Sequence, residues 1–339
     1  MNVKSVGNYR LNLDFDNYKI LPLLFGHHDC NLARIEQKLH VSLACFGSVI
    51  EVRGNQVDTE KAKIILETLY QKLESSENDE MLETGVVDAA IKWVEKTANK
   101  PEDIKLADFN DSSTILTTWK RKVAPRSPNQ HYYIKSLMRT ELAVGVGPAG
   151  TGKTYLAVAV AVAMLKNRQV DRIILSRPAV EAGERLGFLP GDLKDKVDPY
   201  LRPLYDALHD MMPGDQVERL IENGEIEIAP LAFMRGRTLA NSYVILDEAQ
   251  NTTPAQMKMF LTRMGENSHV CITGDLSQID LPIGAKSGLN DALEILRTIP
   301  EVRITEFFSS DVVRHPMVTK IVNAYDQREG EQLYKVPAQ

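Results

Sequence analysis

Two hydrophobic patterns divide the chain, and the first part of it mixes short strands with amphipathic helices. Strand-like alternation or short apolar runs cover residues 9–15, 41–45 and 48–53, and helical spacing of apolar residues covers 30–39 and 58–74. Asp58 is expected to cap the second of these helices. The pattern predicts a small α+β domain over residues 1–76.

A polar, acidic stretch follows this domain. Residues 74–83 are rich in acids and end the hydrophobic pattern, which is typical of a linker. A helix is expected over 84–98, around Trp93, and polar sequence with prolines continues to about residue 128. We therefore expect residues 77–122 to form a linker that contains one helix.

From Glu141 onward, apolar strands alternate with helical segments. The strands are expected at residues 142–147, 172–176, 225–229, 243–248, 270–275 and 302–307. Strands that are apolar on both faces are typical of a parallel sheet flanked by helices. We expect residues 123–339 to form this α/β domain.

Composition and charge narrow the class of protein. The chain has 339 residues, 43% of them hydrophobic, and a net charge of -6, so any contact with nucleic acid must be local. The scattered Cys30, Cys45 and Cys271 suit a reducing compartment. The first residues lack an apolar signal region, and the longest apolar run, 156–165, is too short to cross a bilayer. A cytoplasmic location without a membrane is expected.

One motif carries a specific chemistry. The pattern G-x-x-x-x-G-K-[ST] of a phosphate-binding loop is matched by Gly147, Pro148, Ala149, Gly150, Thr151, Gly152, Lys153 and Thr154. Glycines allow backbone N–H groups to point at phosphate oxygens, Lys153 supplies a positive charge, and Thr154 supplies a hydroxyl to Mg²⁺. The motif follows an apolar strand and precedes a helix, which is the context that such a loop requires.

A second strand ends in two acids, Asp247 and Glu248. Ligand sites of open α/β sheets lie at the carboxyl ends of the strands, so Asp247 is expected to hold Mg²⁺ near the loop. Glu248 is expected to orient and deprotonate the attacking water, which favours hydrolysis over transfer to a small-molecule acceptor.

Other predicted site residues have alternatives of equal weight. Gln278, after the next strand, is either a sensor of the γ-phosphate or part of a turn capped by an aspartate. An arginine is expected to stabilise the charge of the transition state, and Arg235, Arg237 and Arg314 are the candidates.

The nucleotide base is expected to be adenine. The Gln130 amide can both donate to and accept from an adenine edge, and the chain has no N-K-x-D sequence of the kind that reads guanine. Residues 112–140 around it contain six basic residues and no acid, which indicates either a nucleic-acid contact or a solvated face.

Together these residues resemble the PhoH-like family of P-loop ATPases, within the RecA-like, helicase-related class. The resemblance covers roughly residues 120–339, through SPNQ (127–130), GPAGTGKT (147–154), the long block 176–206, LAFMRGRTL (231–239), VILDEAQN (244–251), TGDLSQID (273–280) and VVRHP (312–316). It implies that Gln130 reads adenine, that Asp247 and Glu248 form motif II, that Gln278 belongs to the sensor and that Arg314 is the arginine of motif VI.

The resemblance also implies partners: a homohexameric ring with composite sites, RNA, and an endoribonuclease that matures ribosomal RNA. The first domain resembles a KH RNA-binding domain, with Gly26-His27-His28-Asp29 in place of the G-x-x-G loop. Because Asp29 is acidic, a docking or scaffolding role for this domain stands beside RNA binding.

Two functions are therefore carried forward. The first is an ATPase that remodels RNA, and the second is an ATP-gated adaptor whose slow hydrolysis times the docking of a partner. A small-molecule kinase is a third, which the Asp247–Glu248 pair disfavours.

Overall fold

The computed structural model describes residues 9–75, 81–99, 106–178, 193–282, 284–313, 317–318 and 321. By their packing they form two units. The first comprises residues 1–139 with 159–169 and 208–219, and the second comprises 140–158, 170–207 and 220–339.

The first unit begins with a three-stranded antiparallel sheet covered by helices. Its elements in chain order are β1 (Tyr9–Asp14), α1 (Leu21–Phe25), α2 (Cys30–Leu39), β2 (Ser42–Phe46), β3 (Val49–Gly54) and α3 (Gln56–Glu74), and the sheet order is β1-β3-β2. The predicted strands and helices of this α+β domain are confirmed. Ile50 and Val52 on β3 and Ile65, Leu66 and Leu69 on α3 are fully buried, so the helix packs on the central strand.

The start of α3 corrects one expectation. Asn55, not Asp58, caps the helix: its backbone is extended, and its side chain accepts the Asp58 N–H at 2.8 Å. The helix starts two residues earlier than the apolar spacing indicated, because Gln56 and Val57 add a first turn without a buried apolar face. Asp58 then lies inside that turn, where a carboxylate favours the helix N-terminus.

Helix α4 (Thr84–Asn99) belongs to the core of the first unit. It packs on α2 and α3, buries Val87 and Trp93 completely, and pairs Asp88 with Arg34 at 2.5 Å. The segment 77–122, expected to be a linker with a helix, thus contains a helix that is built into a hydrophobic core. The first unit also contains a short hairpin of β4 (Leu116–Thr117) and β5 (Lys122–Val123), followed by α5 (Pro128–Arg139).

The second unit contains a six-stranded parallel sheet in the order β11-β6-β10-β9-β7-β8. Its strands are β6 (Leu142–Val146), β7 (Arg172–Arg177), β8 (Ile226–Pro230), β9 (Ser242–Leu246), β10 (His269–Gly274) and β11 (Arg303–Glu306). Helices α9 (Pro254–Leu261) and α10 (Gly288–Leu296) lie wholly within this unit, whereas the residues of α6 (Lys153–Lys166), α7 (Leu193–Met211) and α8 (Gly214–Glu222) are divided between the two units. The predicted α/β class and all six strands are confirmed.

The strand order decides which loops meet. Strand β10 lies between β6 and β9, and every residue of β6 and β9 is buried, as expected for strands covered on both faces. The carboxyl ends of these three strands are therefore adjacent, and they carry the glycine loop, the acidic pair and the Thr273–Asp275 turn. This arrangement is that of a RecA-like P-loop core.

Among the helices of the described residues, none combines the length and the apolar character needed to cross a membrane. The cytoplasmic location expected from the sequence stays a prediction.

The burial of Trp93 gives a test of the role of α4. We expect Trp93→Ala to lower the free energy of unfolding by about 3–5 kcal/mol, because the cavity left by a large aromatic side chain is not refilled. Urea unfolding followed by circular dichroism measures the change. The matched control is Glu95→Ala at an exposed position of the same helix, which should stay within about 0.5 kcal/mol of the parent chain. Equal, small effects of both variants would contradict a core role for α4.

Candidate phosphate and metal site

The loop between β6 and α6 has the backbone of a phosphate cradle. Gly147, Gly150 and Gly152 have backbone φ angles of 144°, 79° and 85°, which residues other than glycine rarely adopt. A Cβ atom on Gly147 would also lie 2.4 Å from the carbonyl oxygen of Phe307. The loop can therefore curl only with glycine at these positions, and α6 begins directly after it, at Lys153.

Lys153 is folded back onto this loop. Its Nζ donates to the carbonyl oxygens of Gly147 at 2.7 Å and Pro148 at 2.8 Å. Burial lowers the pKa of Lys153, and the nearby Asp275, Glu248 and Asp247 carboxylates oppose that shift. A phosphate group entering the loop can take the place of the two carbonyl oxygens and stabilise the ammonium form.

The predicted metal residues are in direct contact. The Thr154 hydroxyl donates to Oδ1 of Asp247 at 2.7 Å, and the Thr273 hydroxyl donates to the same oxygen at 2.7 Å. Asp247 is buried, and its backbone N–H donates to the Ser176 carbonyl oxygen at 2.9 Å. A hydroxyl and a carboxylate from two strand ends are the hard oxygen donors that suit Mg²⁺, so the residues present fit this ion.

Glu248 has a different environment from its neighbour. It adopts a left-handed backbone conformation (φ 51°) and its side chain is 34% exposed. Its Oε1 lies 3.3 Å from the Arg177 guanidinium, and its Oε2 accepts the Gln250 amide N–H at 2.6 Å. The two acids thus differ in role: Asp247 faces the Thr154 hydroxyl, and Glu248 is held by two donors.

Gln250 connects Glu248 to the turn after β10. Its fully buried amide also donates to the Gln278 carbonyl oxygen at 3.0 Å and accepts the Asp275 N–H at 3.0 Å. A Cβ atom on Gly274 would lie 2.9 Å from Oε1 of Gln250, so glycine at this position leaves room for the Gln250 amide. Sequence reasoning assigned no role to Gln250, Thr273 or Arg177. The only signal was that all three residues stand in blocks of the family resemblance.

Both readings of Gln278 have a structural counterpart. Its Nε2 donates to Oδ2 of Asp275 at 2.6 Å, and Oδ1 of Asp275 accepts the backbone and hydroxyl donors of Ser277. These contacts form an aspartate-capped turn, and Gln278 also lines the cleft that contains Lys153 and Asp247. Burial raises the pKa of Asp275, while the donors of Ser277 and Gln278 and the charge of Lys153 lower it by more, so the group is held as a carboxylate.

These residues surround one cleft of about 240 Å³. It is lined by Ala149, Gly150, Gly152, Lys153, Thr154, Tyr155, Asp247, Glu248, Gly274, Asp275 and Gln278. The other three loop residues, Gly147, Pro148 and Thr151, do not line the cleft. They support the loop, in which the Thr151 hydroxyl donates to the Pro148 carbonyl oxygen at 2.9 Å. A larger hollow of about 410 Å³ lies along β1 and α3, but it has no glycine loop and we assign the chemistry to the smaller cleft.

Comparison with known proteins agrees with this site. The family model described as PhoH-like protein matches residues 122–326, more than half of the chain and all of the cleft residues. The chain belongs to the PhoH-like family.

Relatives extend the similarity over most of the chain. A PhoH-like protein of Bacillus subtilis (strain 168) is 50% identical over 309 residues, which are 90% of this chain and 93% of the relative. A PhoH-like protein of Mycobacterium tuberculosis (strain ATCC 25618 / H37Rv) is 47% identical over 307 residues, 90% of this chain and 85% of the relative. Protein PhoH of Escherichia coli (strain K12) is 46% identical over 220 residues, 64% of this chain and 60% of the relative. The PhoH-like family is generally of the P-loop ATPase type.

Three predicted residues of this PhoH-like chain are not among those that line the cleft, and a fourth lies outside the described residues. Gln130 is buried on α5 in the first unit, and its Oε1 accepts the Arg126 N–H at 2.7 Å. Arg237 binds both oxygens of Glu227 at 2.6 and 2.7 Å, whereas Arg235 is exposed. Arg314 and residues 179–192 of the block 176–206 lie outside the described residues. The roles of Gln130 and of the three arginines stay predictions.

The hydroxyl of Thr273 supplies a test of the metal site. Thr273→Val keeps the shape of this buried side chain and removes one of the two donors that orient Asp247. We expect the Mg²⁺ concentration for half-maximal ATP turnover to rise about tenfold, the usual scale for a partner of a metal-binding carboxylate. Thr273→Ser is the matched control and should restore the parent value. An unchanged Mg²⁺ dependence in Thr273→Val would contradict the role given to Asp247.

Proposed function

We propose that this PhoH-like chain hydrolyses ATP with Mg²⁺ and couples the hydrolysis to binding or remodelling of RNA. The observation that carries the hydrolytic part is the pair of acids after β9. Asp247 contacts the hydroxyl of Thr154, and Glu248 lies beside it at the cleft. One carboxylate is thus available for the metal and another for the water.

The residues divide the reaction among them. The backbone of 147–152 and the Lys153 ammonium bind the phosphates, and Thr154 and Asp247 hold the metal. Mg²⁺ supplies positive charge against the phosphates. Glu248 accepts a proton from water as the water oxygen bonds to the γ-phosphorus and the bond to the β–γ bridging oxygen breaks, which releases ADP and phosphate. Gln278 is proposed to sense the γ-phosphate and Gln130 to read adenine.

The coupling to RNA rests on the family resemblance and on local charge. Of the basic residues in 112–140, three are held within the first unit: Lys120 donates to the His209 carbonyl oxygen, Arg121 pairs with Asp210, and Lys135 pairs with Asp111. Three others are exposed: Lys122, Arg126 and Arg139. We propose that these three contact RNA phosphates, and that the substrate is ribosomal RNA processed with an endoribonuclease partner.

The adaptor function is favoured by a different observation. In the first domain, the G-x-x-G position of a KH loop ends in the exposed Asp29, and Oε1 of Glu36 accepts the Leu43 N–H of edge strand β2 at 2.7 Å. Carboxylates at such a surface repel RNA phosphates and suit a protein partner instead. Under this alternative, ATP hydrolysis times the docking of that partner.

Phosphate release separates the two functions. We expect the purified chain to release phosphate from ATP with Mg²⁺, and single-stranded oligo(U) RNA to raise the rate several-fold. Glu248→Gln is the control for the site: it should still bind ATP while its hydrolysis falls on the order of a hundredfold or more, since the general base is lost. Lys153→Ala should lose tight binding. Hydrolysis that is indifferent to RNA would sink the coupling and favour the adaptor.

We further propose a ring, most simply a homohexamer, in which Arg235 acts on the site of the neighbouring subunit. Arg235 follows β8, and β8 lies four strand spacings from β6, or about 19 Å at ~4.8 Å per strand. From that distance an arginine on β8 could not contact the phosphates of its own subunit, and we propose that Arg235, five residues after the end of β8, likewise acts on a neighbour. Arg237 is held by Glu227, which leaves Arg235 as the better placed of the two.

Mixing of inactive subunits tests this arginine. Arg235→Ala should lower kcat on the order of a thousandfold, the scale of an arginine that stabilises the transition state, with little change in ATP affinity. Arg237→Ala is the matched control and should retain turnover. If Arg235 acts across an interface, a mixture of Arg235→Ala and Lys153→Ala subunits regains activity, because each supplies what the other lacks. A mixture that stays inactive would refute action in trans.

A further inference from the structure

The expected general base is bound on both sides in this structure. Oε1 of Glu248 lies 3.3 Å from the guanidinium of Arg177, and Oε2 accepts the amide N–H of Gln250 at 2.6 Å. A carboxylate can take a proton from water only if one of its oxygens faces that water. Both carboxylate oxygens of Glu248 face protein donors, so in this arrangement neither oxygen is available to accept a proton from water.

The two donors come from rigid parts of the second unit. Arg177 is the last residue of β7, which pairs with β9 through Ser176 and Leu246, so the guanidinium and the carboxylate project from adjacent strand ends. Gln250 is fully buried and is fixed by Asp275 and by the Gln278 carbonyl oxygen. The carboxylate is therefore held between two donors that are themselves placed by the fold, and a change at one of these donors would release it.

Arg177 is the donor that a ligand can reach. Its side chain is 22% exposed and that of Glu248 is 34% exposed, whereas Gln250 is inaccessible. A partly exposed ion pair is weak, so another anion competes with the carboxylate for the guanidinium. Arginine binds phosphate in the same forked geometry as it binds carboxylate.

We propose that Arg177 is a positioning residue that restrains Glu248 until a phosphate of the RNA backbone takes over its guanidinium. This inference rests on the proposed RNA-coupled hydrolysis and identifies the Arg177–Glu248 contact as the element through which RNA would control it. While Arg177 holds Glu248, ATP binds but is hydrolysed slowly. When an RNA phosphate binds Arg177, Oε1 is freed and turns to the water next to the γ-phosphate, which it then deprotonates.

Removal of the restraint should raise turnover rather than lower it. We expect Arg177→Ala to increase RNA-free kcat about three- to fivefold, the Boltzmann factor of an exposed ion pair, with an unchanged KM for ATP. Oligo(U) RNA should then add little further stimulation. Arg177→Lys keeps a positive charge at this position and should restore both the low basal rate and part of the response to RNA.

Two controls assign the effect to this contact. Arg172→Ala removes an arginine from the opposite end of β7 and should behave like the parent chain. The double variant Arg177→Ala with Glu248→Gln should lose the gained activity, because the gain passes through the Glu248 carboxylate. ATP binding by each variant, measured with a fluorescent nucleotide, shows that the site is folded.

The outcomes separate this inference from the proposed function. A basal rate in Arg177→Ala that is equal to or below that of the parent chain overturns the restraint. A parent chain that RNA does not stimulate overturns the coupling to RNA, while a raised basal rate in Arg177→Ala would still establish the restraint by itself. A variant that is raised in basal rate but fully stimulated by RNA overturns the role of Arg177 as the RNA contact.

Discussion

The site depends on one oxygen atom, Oδ1 of Asp247, which accepts the hydroxyls of Thr154 and Thr273 at the same distance of 2.7 Å. Thr154 lies in the first turn of α6 and Thr273 is the penultimate residue of β10, so the atom joins three neighbouring segments of the sheet edge. The strand order makes this possible, because β10 lies between β6 and β9. A buried carboxylate with two donors is held in place, which is what a metal ligand requires before the metal arrives.

The charges of the cleft favour a metal ion in the proposed reaction. Among the described residues that line it, Asp247, Glu248 and Asp275 are acids and Lys153 is the one base. A nucleoside triphosphate would bring further negative charge into this space. The single positive charge of Lys153 is too small to neutralise both the three carboxylates and the phosphates. A divalent cation held by Asp247 and Thr154 would relieve this repulsion, so nucleotide and metal are expected to bind together.

The sequence predicted what periodicity and a fixed motif can encode. All six parallel strands, the glycine loop and the Asp247–Glu248 pair follow from apolar runs and the residues at their ends. It did not predict contacts that depend on tertiary neighbours: the packing of Trp93 into a core, Asn55 as a cap, and the amide of Gln250 between two turns. Arg177 was missed for the same reason. Its partner is 71 residues away in the chain and becomes a neighbour only because β7 pairs with β9.

Hydrolysis is proposed to be controlled twice, through Glu248 and through the transition-state arginine, and both controls act after the nucleotide has bound. Lys153, Thr154 and Asp247 are proposed to bind the nucleotide and its metal ion without any group from outside the cleft. Glu248 and the transition-state arginine act only after binding, and each is proposed to wait for another molecule: an RNA phosphate for Arg177, and a neighbouring subunit for Arg235. Binding without these molecules leaves ATP intact, so its free energy is released only when the complex is assembled. A motor that remodels RNA requires this order, because hydrolysis that precedes assembly performs no work on the substrate.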